Sequence, residues 1–148
     1  MQNITRLFDF PYYQLEHFNL PDALVTKYDN EWVKTSTQEY INKANALSRA
    51  LLNLGIQKND KIAVISSNNR TEWHISDVGI LQVGAQNIPI YPTISSEDYE
   101  YILNHSEAKY CFVSDQVVYD KLKEVQSRIP LLIDIYSFNE ISGCKKWN

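Results

Sequence analysis

The sequence predicts an α/β fold: a parallel sheet of βαβ units with helices on both faces, preceded by a short β-hairpin and a helix. From Lys61 onward, short apolar runs alternate with longer segments of helical periodicity. The run Lys61–Ser66 is almost continuously apolar, as expected of a parallel strand that is buried on both faces. With 44% apolar and 22% charged residues among 148, the composition is that of a globular domain that buries a core.

We expect a single domain over residues 1–148, with a lead-in at 1–22, a hairpin at 23–35 and an α/β core at 36–148. No internal repeat or low-complexity stretch interrupts this division. The chain has no apolar run near the roughly 20 residues that span a bilayer, and its first residues lack the apolar core of a signal peptide. The expected location is therefore the cytoplasm.

The segment before the core is predicted to contain a short amphipathic helix at Tyr12–Phe18, followed by a β-hairpin. Two strand-like runs, Ala23–Tyr28 and Trp32–Thr35, flank Asp29 and Asn30. Both turn residues tolerate the positive φ that a tight hairpin requires. The two runs are therefore expected to pair antiparallel.

A long helix is predicted after the hairpin. Ser36 is a suitable N-cap, and Glu39 three residues later completes a capping box. Gly55 is expected to end the helix as a left-handed residue just after its last turn. The apolar stripe of this helix contains Tyr40, Ala44, Leu47, Leu51 and Leu54, with Ile41, Ser48 and Leu52 beside it.

The core is predicted to alternate strands with helices, which gives right-handed crossovers and a parallel sheet. The predicted strands are Lys61–Ser66, Asn87–Ile90, Lys109–Ser114 and Pro130–Ile135. The predicted helices are Thr71–Val83, the segment from the cap at Ser95 to His105, and the segment opened by Asp115 that carries Val118, Leu122 and Val125. The residues expected in the core are Ile62, Val64, Ile88, Cys111, Val113, Leu132 and Ile133.

Charge and cysteine content exclude several kinds of partner. The net charge is −4, whereas a nucleic-acid-binding domain usually has a basic face, so no nucleic-acid partner is expected. Cys111 and Cys144 are too few for a disulfide framework, and no histidine or cysteine stands near them at zinc-ligand spacing. We therefore expect two reduced thiols, with Cys111 buried, and no metal site.

The four glycines, Gly55, Gly79, Gly84 and Gly143, do not form a phosphate-binding loop. A dinucleotide fingerprint needs three clustered glycines, and a P-loop needs two followed by Lys-Ser/Thr. The polar turn after the first core strand contains no carboxylate of the kind that a receiver-type phosphoacceptor needs. We therefore expect no catalytic residue and no cofactor-binding residue in this chain.

The turn Tyr91-Pro92-Thr93 is the candidate substrate-lining site. Ligands of open α/β sheets bind beyond the carboxyl ends of the strands, and this turn leaves such an end. Pro89 and Pro92 stiffen the turn. The alternative interpretation is a rigid connection that delivers the chain to the helix cap at Ser95, and the sequence leaves both open.

Five segments stand in a fixed order along the chain. They are Ser36–Tyr40, Leu52–Ile56, Asn68–Trp73, Ile88–Thr93 and Tyr101–Lys109. Together they resemble the N-terminal part of the AMP-forming (adenylate-forming) acyl-CoA synthetases, of the long-chain fatty acid–CoA ligase type. The chain departs from the family pattern at Asn59, where glycine is usual, and at Thr71, where proline is usual.

The resemblance implies a longer parent enzyme that activates a carboxylate with ATP to an acyl-adenylate and then transfers the acyl group to CoA. The implied cofactors of the parent are ATP, magnesium and CoA, and the implied partners are a fatty acid, CoA and the remainder of the parent chain. The family's phosphate loop ends in Pro-Lys-Gly, and nothing in this chain matches it. No catalytic residue can therefore be carried over.

The end of the chain, Ser142–Asn148, favours a segment cut from inside a larger enzyme, because it has no stop-like tail. Such a segment is expected to be a scaffold that is inactive alone and that self-associates. A second hypothesis is a free-standing doubly wound α/β domain that binds a protein or a small ligand without catalysis. A third is a small enzyme with an unrecognised site. A reading frame that continues past Asn148 into a glycine-rich phosphate loop would favour the ligase.

Overall fold

A computed structural model describes residues 4–147 of the chain; Met1–Asn3 and Asn148, which belong to the predicted 1–148 domain, lie outside the described residues. The described chain forms two compact units. The hairpin unit contains residues 4–57 and Asn69–Gly84, and the sheet unit contains Lys58–Asn68 and residues 85–147. None of the helices within residues 4–147 combines the length and the apolar character needed to cross a membrane.

The hairpin unit contains three α-helices, a short 3-10 helix at Leu7–Asp9 and a two-stranded antiparallel sheet. Its elements are α1 (Phe10–Phe18), β1 (Leu24–Tyr28), β2 (Glu31–Thr35), α2 (Thr37–Asn53) and α3 (Thr71–Gln82). The hairpin is confirmed, since Leu24 pairs with Thr35 and Tyr28 with Glu31. Its turn residues Asp29 and Asn30 have φ of 46° and 69°, the left-handed conformation for which these residue types are suited.

Helix α2 begins and ends as the sequence predicts. The hydroxyl of Ser36 accepts a hydrogen bond from the backbone N–H of Glu39 at 3.2 Å, and the Glu39 carboxylate accepts one from the backbone N–H of Ser36 at 2.8 Å. Gly55 follows the helix with φ of 83°. The predicted stripe is wrong at Leu52 and Leu54, which are exposed: Leu52 lies one helical step beyond the buried face, and Leu54 is already the C-cap.

Helix α3 packs closely on α2 because Gly79 has no side chain. A Cβ at this position would lie 2.9 Å from Cδ2 of Leu47 and 3.1 Å from the carbonyl oxygen of Ala44. The first N–H of α3, on Thr71, donates to the hydroxyl of Thr26 in β1 at 2.8 Å. The hairpin thereby caps α3, which has no side-chain cap of its own at its N-cap residue.

The sheet unit contains one parallel sheet and two helices. Its elements are β3 (Lys61–Ile65), β4 (Gln86–Ile90), α4 (Ser96–Ser106), β5 (Ala108–Val113), α5 (Gln116–Val125), β6 (Asp134–Ser137) and β7 (Lys145–Lys146). The strand order is β4-β3-β5-β6-β7, and every neighbouring pair is parallel. The predicted parallel α/β architecture is therefore confirmed.

The core of the sheet unit is apolar on consecutive strand positions, so both faces of the central strands are covered. The residues Ile62, Val64, Cys111 and Val113 are fully buried, as predicted, and Leu132 is buried. Ile88 is only partly buried, although it packs against the core. Tyr99 and Leu103 of α4 and Leu122 of α5 are fully buried in the cluster that contains Cys111, Val113 and Leu132.

The last predicted strand is misplaced. The sequence places it at Pro130–Ile135, but β6 spans Asp134–Ser137, and Ile133 is 63% exposed rather than in the core. Pro130 lacks the N–H that a strand would use for pairing. The segment instead turns, with the N–H of Leu132 donating to the carbonyl of Ile129 at 3.1 Å.

Strand β7 is an element that the sequence does not predict, because two adjacent lysines carry no strand signal. It pairs with β6, and Trp147 beyond it packs on Phe138 with ring centroids 5.0 Å apart. Phe138 in turn stacks on Phe112 of β5 at 6.0 Å. Aromatic packing rather than local propensity therefore fixes this short edge strand.

Candidate functional site

The candidate site lies at the carboxyl edge of the parallel sheet in the sheet unit. Strands β3, β4 and β5 all end at this edge because they are parallel and adjacent. The segments that leave them are Ser66-Ser67, the loop Tyr91–Ser95 and Ser114-Asp115. This is the edge at which open α/β sheets bind their ligands.

The loop Tyr91–Ser95 contains all three predicted site residues. Tyr91 is 79% exposed, Thr93 is exposed, and Pro92 is half-buried. The three residues stand together in one turn between β4 and α4. The loop therefore presents an aromatic ring and a hydroxyl to solvent, while its backbone faces the protein.

Two side chains hold the loop through its carbonyl groups. The hydroxyl of Tyr99 in α4 donates to the carbonyl of Pro92 at 3.0 Å. The ammonium of Lys121 in α5 donates to the carbonyl of Ile94 at 2.8 Å and lies 3.3 Å from that of Pro92. Ser95 then caps α4, with its hydroxyl accepting from the N–H of Asp98 at 3.1 Å.

The Tyr99 hydroxyl is a stable donor. Burial, followed by the nearby Cys111 and Asp115, raises the pKa of Tyr99 to about 12. The hydroxyl therefore keeps its proton at neutral pH and well above it. Its bond to Pro92 does not depend on pH near neutrality.

Hydroxyl groups and one carboxylate join the ends of β3 and β5. The hydroxyl of Ser114 accepts from the backbone N–H of Ser67 at 2.9 Å and donates to the carboxylate of Asp115 at 2.6 Å. Asp115 also accepts from the N–H of Val118 at 3.1 Å, which confirms its predicted role as the N-cap of α5.

Asp115 remains ionised at this edge. Its partial burial acts to raise the pKa, but the hydrogen bonds from Ser114, Ser67 and the backbone of Val118 outweigh burial, and the pKa of Asp115 is below its usual value. The carboxylate of Asp115 therefore acts here as the charged N-cap of α5.

Sequence reasoning missed Lys121 and Ser114. A signal for Lys121 existed, because it stands in the apolar stripe of α5 between the buried residues Val118 and Val125. A lysine at such a position must find partners for its ammonium group. Ser114 had no comparable signal, since a serine at the end of a strand is common in any loop.

A concavity of about 520 Å³ lies in the hairpin unit near the start of α1. It is lined by Ile4, Thr5, Arg6, Phe8, Asp9, Tyr12, Tyr13 and Gln82. Its polar groups bond to one another: Arg6 pairs with Asp9 at 2.8 Å, and the amide of Gln82 donates to the hydroxyl of Tyr12 at 2.9 Å. Each of these four side chains thus has a polar partner within the lining.

Both cysteines lie in the sheet unit, and both are free thiols. Cys111 is fully buried, as predicted, and Cys144 is partly buried. Burial, with a smaller contribution from Cys144, raises the pKa of the Cys111 thiol. Cys111 therefore packs as a small apolar side chain rather than acting as a nucleophile.

Comparison of the sequence with known proteins gives a family match. The family model described as "AMP-binding enzyme" matches residues 16–146. The long-chain-fatty-acid–CoA ligase FadD15 of Mycobacterium bovis is 33% identical over 107 residues, which are 72% of this chain and 18% of that protein. The long-chain-fatty-acid–CoA ligase ACSBG2 of Xenopus laevis is 28% identical over 118 residues, which are 80% of this chain and 16% of that protein. The chain therefore spans less than a fifth of the length of these relatives.

Solved structures show the same fold. The crystal structure of the anthranilate CoA ligase AuaEII in complex with anthranoyl-AMP has a TM-score of 0.79 at 22% identity, over 95% of this chain and 26% of that one. The fatty acyl CoA synthetase of Mycobacterium tuberculosis has a TM-score of 0.66 at 20% identity, over 71% of this chain and 21% of that one. At these identities the likeness concerns the fold alone.

Proposed function

The chain belongs to the AMP-binding enzyme family, and from this premise we propose that it is the N-terminal α/β part of an ATP-dependent long-chain fatty acid–CoA ligase. The observation that carries the proposal is the family match, which runs through nearly the whole described chain. The two relatives named above are long-chain-fatty-acid–CoA ligases, which supports a fatty acid as the carboxylate substrate.

The proposed reaction of the whole enzyme has two steps. The fatty-acid carboxylate attacks the α-phosphorus of ATP, so that an acyl-adenylate forms and pyrophosphate leaves. The thiol of CoA then attacks the acyl carbon, so that a thioester forms and AMP leaves. ATP with magnesium supplies the activation of the carboxylate, and CoA supplies the accepting thiol.

At the carboxyl edge of the sheet, the ammonium of Lys121 is already bonded to two backbone carbonyls, which leaves it unsuited to hold the phosphates of ATP. The sequence also lacks a glycine-rich phosphate loop. We therefore assign ATP, magnesium and CoA to the remainder of the parent chain, and we propose that this part is a scaffold that is inactive alone.

Within the parent, we assign the loop Tyr91–Ser95 to the wall of the acyl-substrate site. Support comes from the exposure of Tyr91 and Thr93 at the ligand-binding edge of the sheet and from the rigid attachment of the loop backbone. The Tyr91 ring provides apolar contact area, and the Thr93 hydroxyl provides a donor and an acceptor. The proposed partners of the chain are the rest of the ligase, the fatty acid and CoA, and the proposed location is the cytoplasm.

The test uses two proteins: the product of the full reading frame that contains this segment, and the 148-residue chain alone. Each is incubated with ATP, magnesium, CoA and a series of fatty acids from octanoate to stearate, with acetate as the short-chain control. Pyrophosphate release reports the first step, and mass spectrometry of acyl-CoA reports the second. We expect the full-length protein to form long-chain acyl-CoA and the chain alone to release no pyrophosphate.

Three results would overturn the proposal. One is a reading frame that stops after Asn148, which would favour the free-standing α/β domain. Another is a full-length protein that forms no acyl-CoA from any acid of the series. The third is activity of the chain alone, or calorimetric binding of ATP to it tighter than about 1 mM, which corresponds to about −4 kcal/mol.

A further inference from the structure

Lys121 occupies an unusual position for a lysine. It stands in the apolar stripe of α5, with Val118 and Val125 buried one helical turn away on either side, and it is itself partly buried. Its ammonium lies 5.5 Å from the centre of the Tyr99 ring, a distance suited to a cation–π contact. An ammonium group in such surroundings loses hydration, which must be offset by well-placed acceptors.

The acceptors of Lys121 are the backbone carbonyls of Pro92 and Ile94, at 3.3 Å and 2.8 Å. These two carbonyls flank Thr93 on both sides, so that one side chain fixes the backbone before and after the exposed hydroxyl. Hydrogen bonds from a charged donor are stronger and more directional than those between neutral groups. The charge of Lys121 thus acts on the conformation of the turn rather than on a partner carboxylate.

Two other contacts keep the surroundings in place without Lys121. The Tyr99 hydroxyl holds the Pro92 carbonyl at 3.0 Å, and the hydroxyl of Ser96 donates to the carboxylate of Glu124 at 2.6 Å, which joins the start of α4 to α5. The carbonyl of Ile94 is the point at which Lys121 makes its shorter bond. Loss of the ammonium is therefore expected to loosen Thr93 and Ile94 while the helices stay packed.

We propose that Lys121 is a positioning residue for the acyl substrate: its ammonium fixes the turn that carries Tyr91 and Thr93. The inference rests on the proposed function, because it takes this turn as a wall of the acyl site. Lys121 does not touch the reacting atoms in this scheme. It acts on substrate binding through the backbone of the turn, so its removal should raise the KM for the fatty acid while kcat stays nearly constant.

The matched control is Lys123, on the same helix. Lys123 is exposed, its ammonium donates to the side chain of Gln126 at 2.6 Å, and it lies 5.9 Å from the ring of Tyr119. Lys123 therefore resembles Lys121 in its charge, in its place on α5 and in having an aromatic neighbour. Its hydrogen bond, however, goes to Gln126 at the end of the same helix and not to the turn. Lys123→Met removes a charge without touching the turn.

The experiment compares Lys121→Met, Lys121→Arg and Lys123→Met. In the full-length ligase, hydrogen exchange of the backbone amides of Thr93–Ser95 reports how firmly the turn is held, and circular dichroism reports folding. In the full-length ligase, steady-state kinetics with fatty acid and ATP varied separately reports KM and kcat. Lys121→Arg keeps the charge and the donors, so it serves as the conservative rescue.

We expect Lys121→Met to speed exchange at Thr93–Ser95 by about tenfold and to raise the KM for fatty acid by about tenfold, the effect of losing one charged hydrogen bond. The KM for ATP and the value of kcat should change by less than about twofold. Lys121→Arg should recover most of the loss, and Lys123→Met should behave as the wild type.

The results separate this inference from the proposed function. If the wild-type full-length protein makes acyl-CoA but Lys121→Met changes neither exchange nor KM, the positioning role is wrong and the ligase function stands. If Lys121→Met raises exchange but leaves KM unchanged, Lys121 holds the turn but the turn does not line the substrate. The positioning role is then also wrong, and the ligase function stands. Equal effects on the KM for ATP and for fatty acid, or failure of Lys121→Arg to restore KM, would also overturn the positioning role. A wild-type protein without ligase activity removes the proposed function and the positioning role with it.

Discussion

Replacement of Glu72 by glutamine should destabilise the hairpin unit severely. Glu72 and Arg70 stand at the start of α3, where their side chains are only 17% and 7% exposed. The guanidinium of Arg70 donates twice to the carboxylate, from Nε to Oε2 at 2.9 Å and from Nη2 to Oε1 at 2.8 Å. The hydroxyl of Tyr28 in β1 donates to the same carboxylate at 2.5 Å.

The expected cost follows from what the substitution leaves behind. Glutamine retains one acceptor oxygen but loses the negative charge, so the buried guanidinium of Arg70 loses the carboxylate to which it donates twice. Breaking a buried ion pair by removing one partner costs roughly 3–5 kcal/mol, because the other charge stays buried. Since glutamine can still accept one hydrogen bond, we expect Glu72→Gln to lower the free energy of unfolding by about 3 kcal/mol at pH 7.

The same network gives a pH dependence of defined sign. Burial acts to raise the pKa of Glu72, but the hydrogen bonds from Arg70 and Tyr28 outweigh it, and the pKa of Glu72 is lowered. A lowered carboxyl pKa contributes stability that is present above the unfolded pKa, about 4.3, and that is lost as the pH falls through the folded pKa. The wild type should therefore lose more stability on acidification than Glu72→Gln does.

The assay is urea unfolding, followed by tryptophan fluorescence, at pH 7 and at a series of lower pH values. The control is Glu97→Gln, which removes an exposed glutamate from the first turn of α4 and so matches the loss of a charge near a helix N-terminus. Arg70→Met and the double variant Arg70→Met/Glu72→Gln complete a cycle. The double variant should lose about 2 kcal/mol less than the sum of the single variants.

Two results would refute this reasoning. One is a Glu72→Gln variant within about 0.5 kcal/mol of the wild type, the range of an ordinary surface substitution. The other is a coupling energy near zero, which would mean that Arg70 and Glu72 do not depend on each other. Equal losses for Glu72→Gln and Glu97→Gln would assign the effect to the helix dipole instead of the buried pair.

Three further outcomes are expected. Cys144 should react with a thiol reagent in the native protein well before Cys111, because Cys111 is fully buried and that burial raises the pKa of its thiol. Mass spectrometry of labelled peptides measures the two rates. Equal rates or a Cys111–Cys144 disulfide would contradict the prediction. Gly79→Val should lower the free energy of unfolding by about 2 kcal/mol, because the added side chain overpacks against Leu47. A urea midpoint equal to that of the wild type would mean that α2 and α3 pack more loosely than described. The 148-residue chain should self-associate and bind a hydrophobic dye, because β4 and β7 are the edge strands of the described sheet. Sedimentation over a concentration series tests this. A chain that is monomeric, binds no dye and is heat-stable would favour the free-standing domain.

Local signals in the sequence were sufficient wherever a residue type has one dominant conformational use. The turn residues Asp29 and Asn30 and the caps at Ser36 and Ser95 are of this kind, and all take the predicted conformation. Asn59, where the resemblance leads us to expect glycine, has φ of 69°, a left-handed conformation that glycine adopts without strain.

The predictions from sequence were wrong where long-range packing determines the structure and local signals are weak or misleading. The apolar run before β6 looked like a strand, but Pro130 cannot pair and the chain turns before entering the sheet. Strand β7 exists because Trp147 packs on Phe138, which no local pattern reveals. At the candidate site the exposed turn could be predicted. The position of Lys121 in the apolar stripe signals that its ammonium needs partners, but the sequence does not reveal which, because its acceptors are backbone atoms remote in the sequence.

The discontinuity of the two units bears on how the chain folds as it is synthesised. Strand β3 is made between the two segments of the hairpin unit, yet its sheet neighbours β4 and β5 are both later in the chain. The last residue of the hairpin unit, Gly84, therefore leaves the ribosome before β3 has any strand to pair with. Strand β3, which is almost entirely apolar, is therefore unpaired in the nascent chain during this interval. Aggregation and chaperone binding compete with folding while such a segment is exposed. Slower translation just after Gly84 would lengthen that exposure, so the codons for β4 and β5 bear on the yield of folded protein.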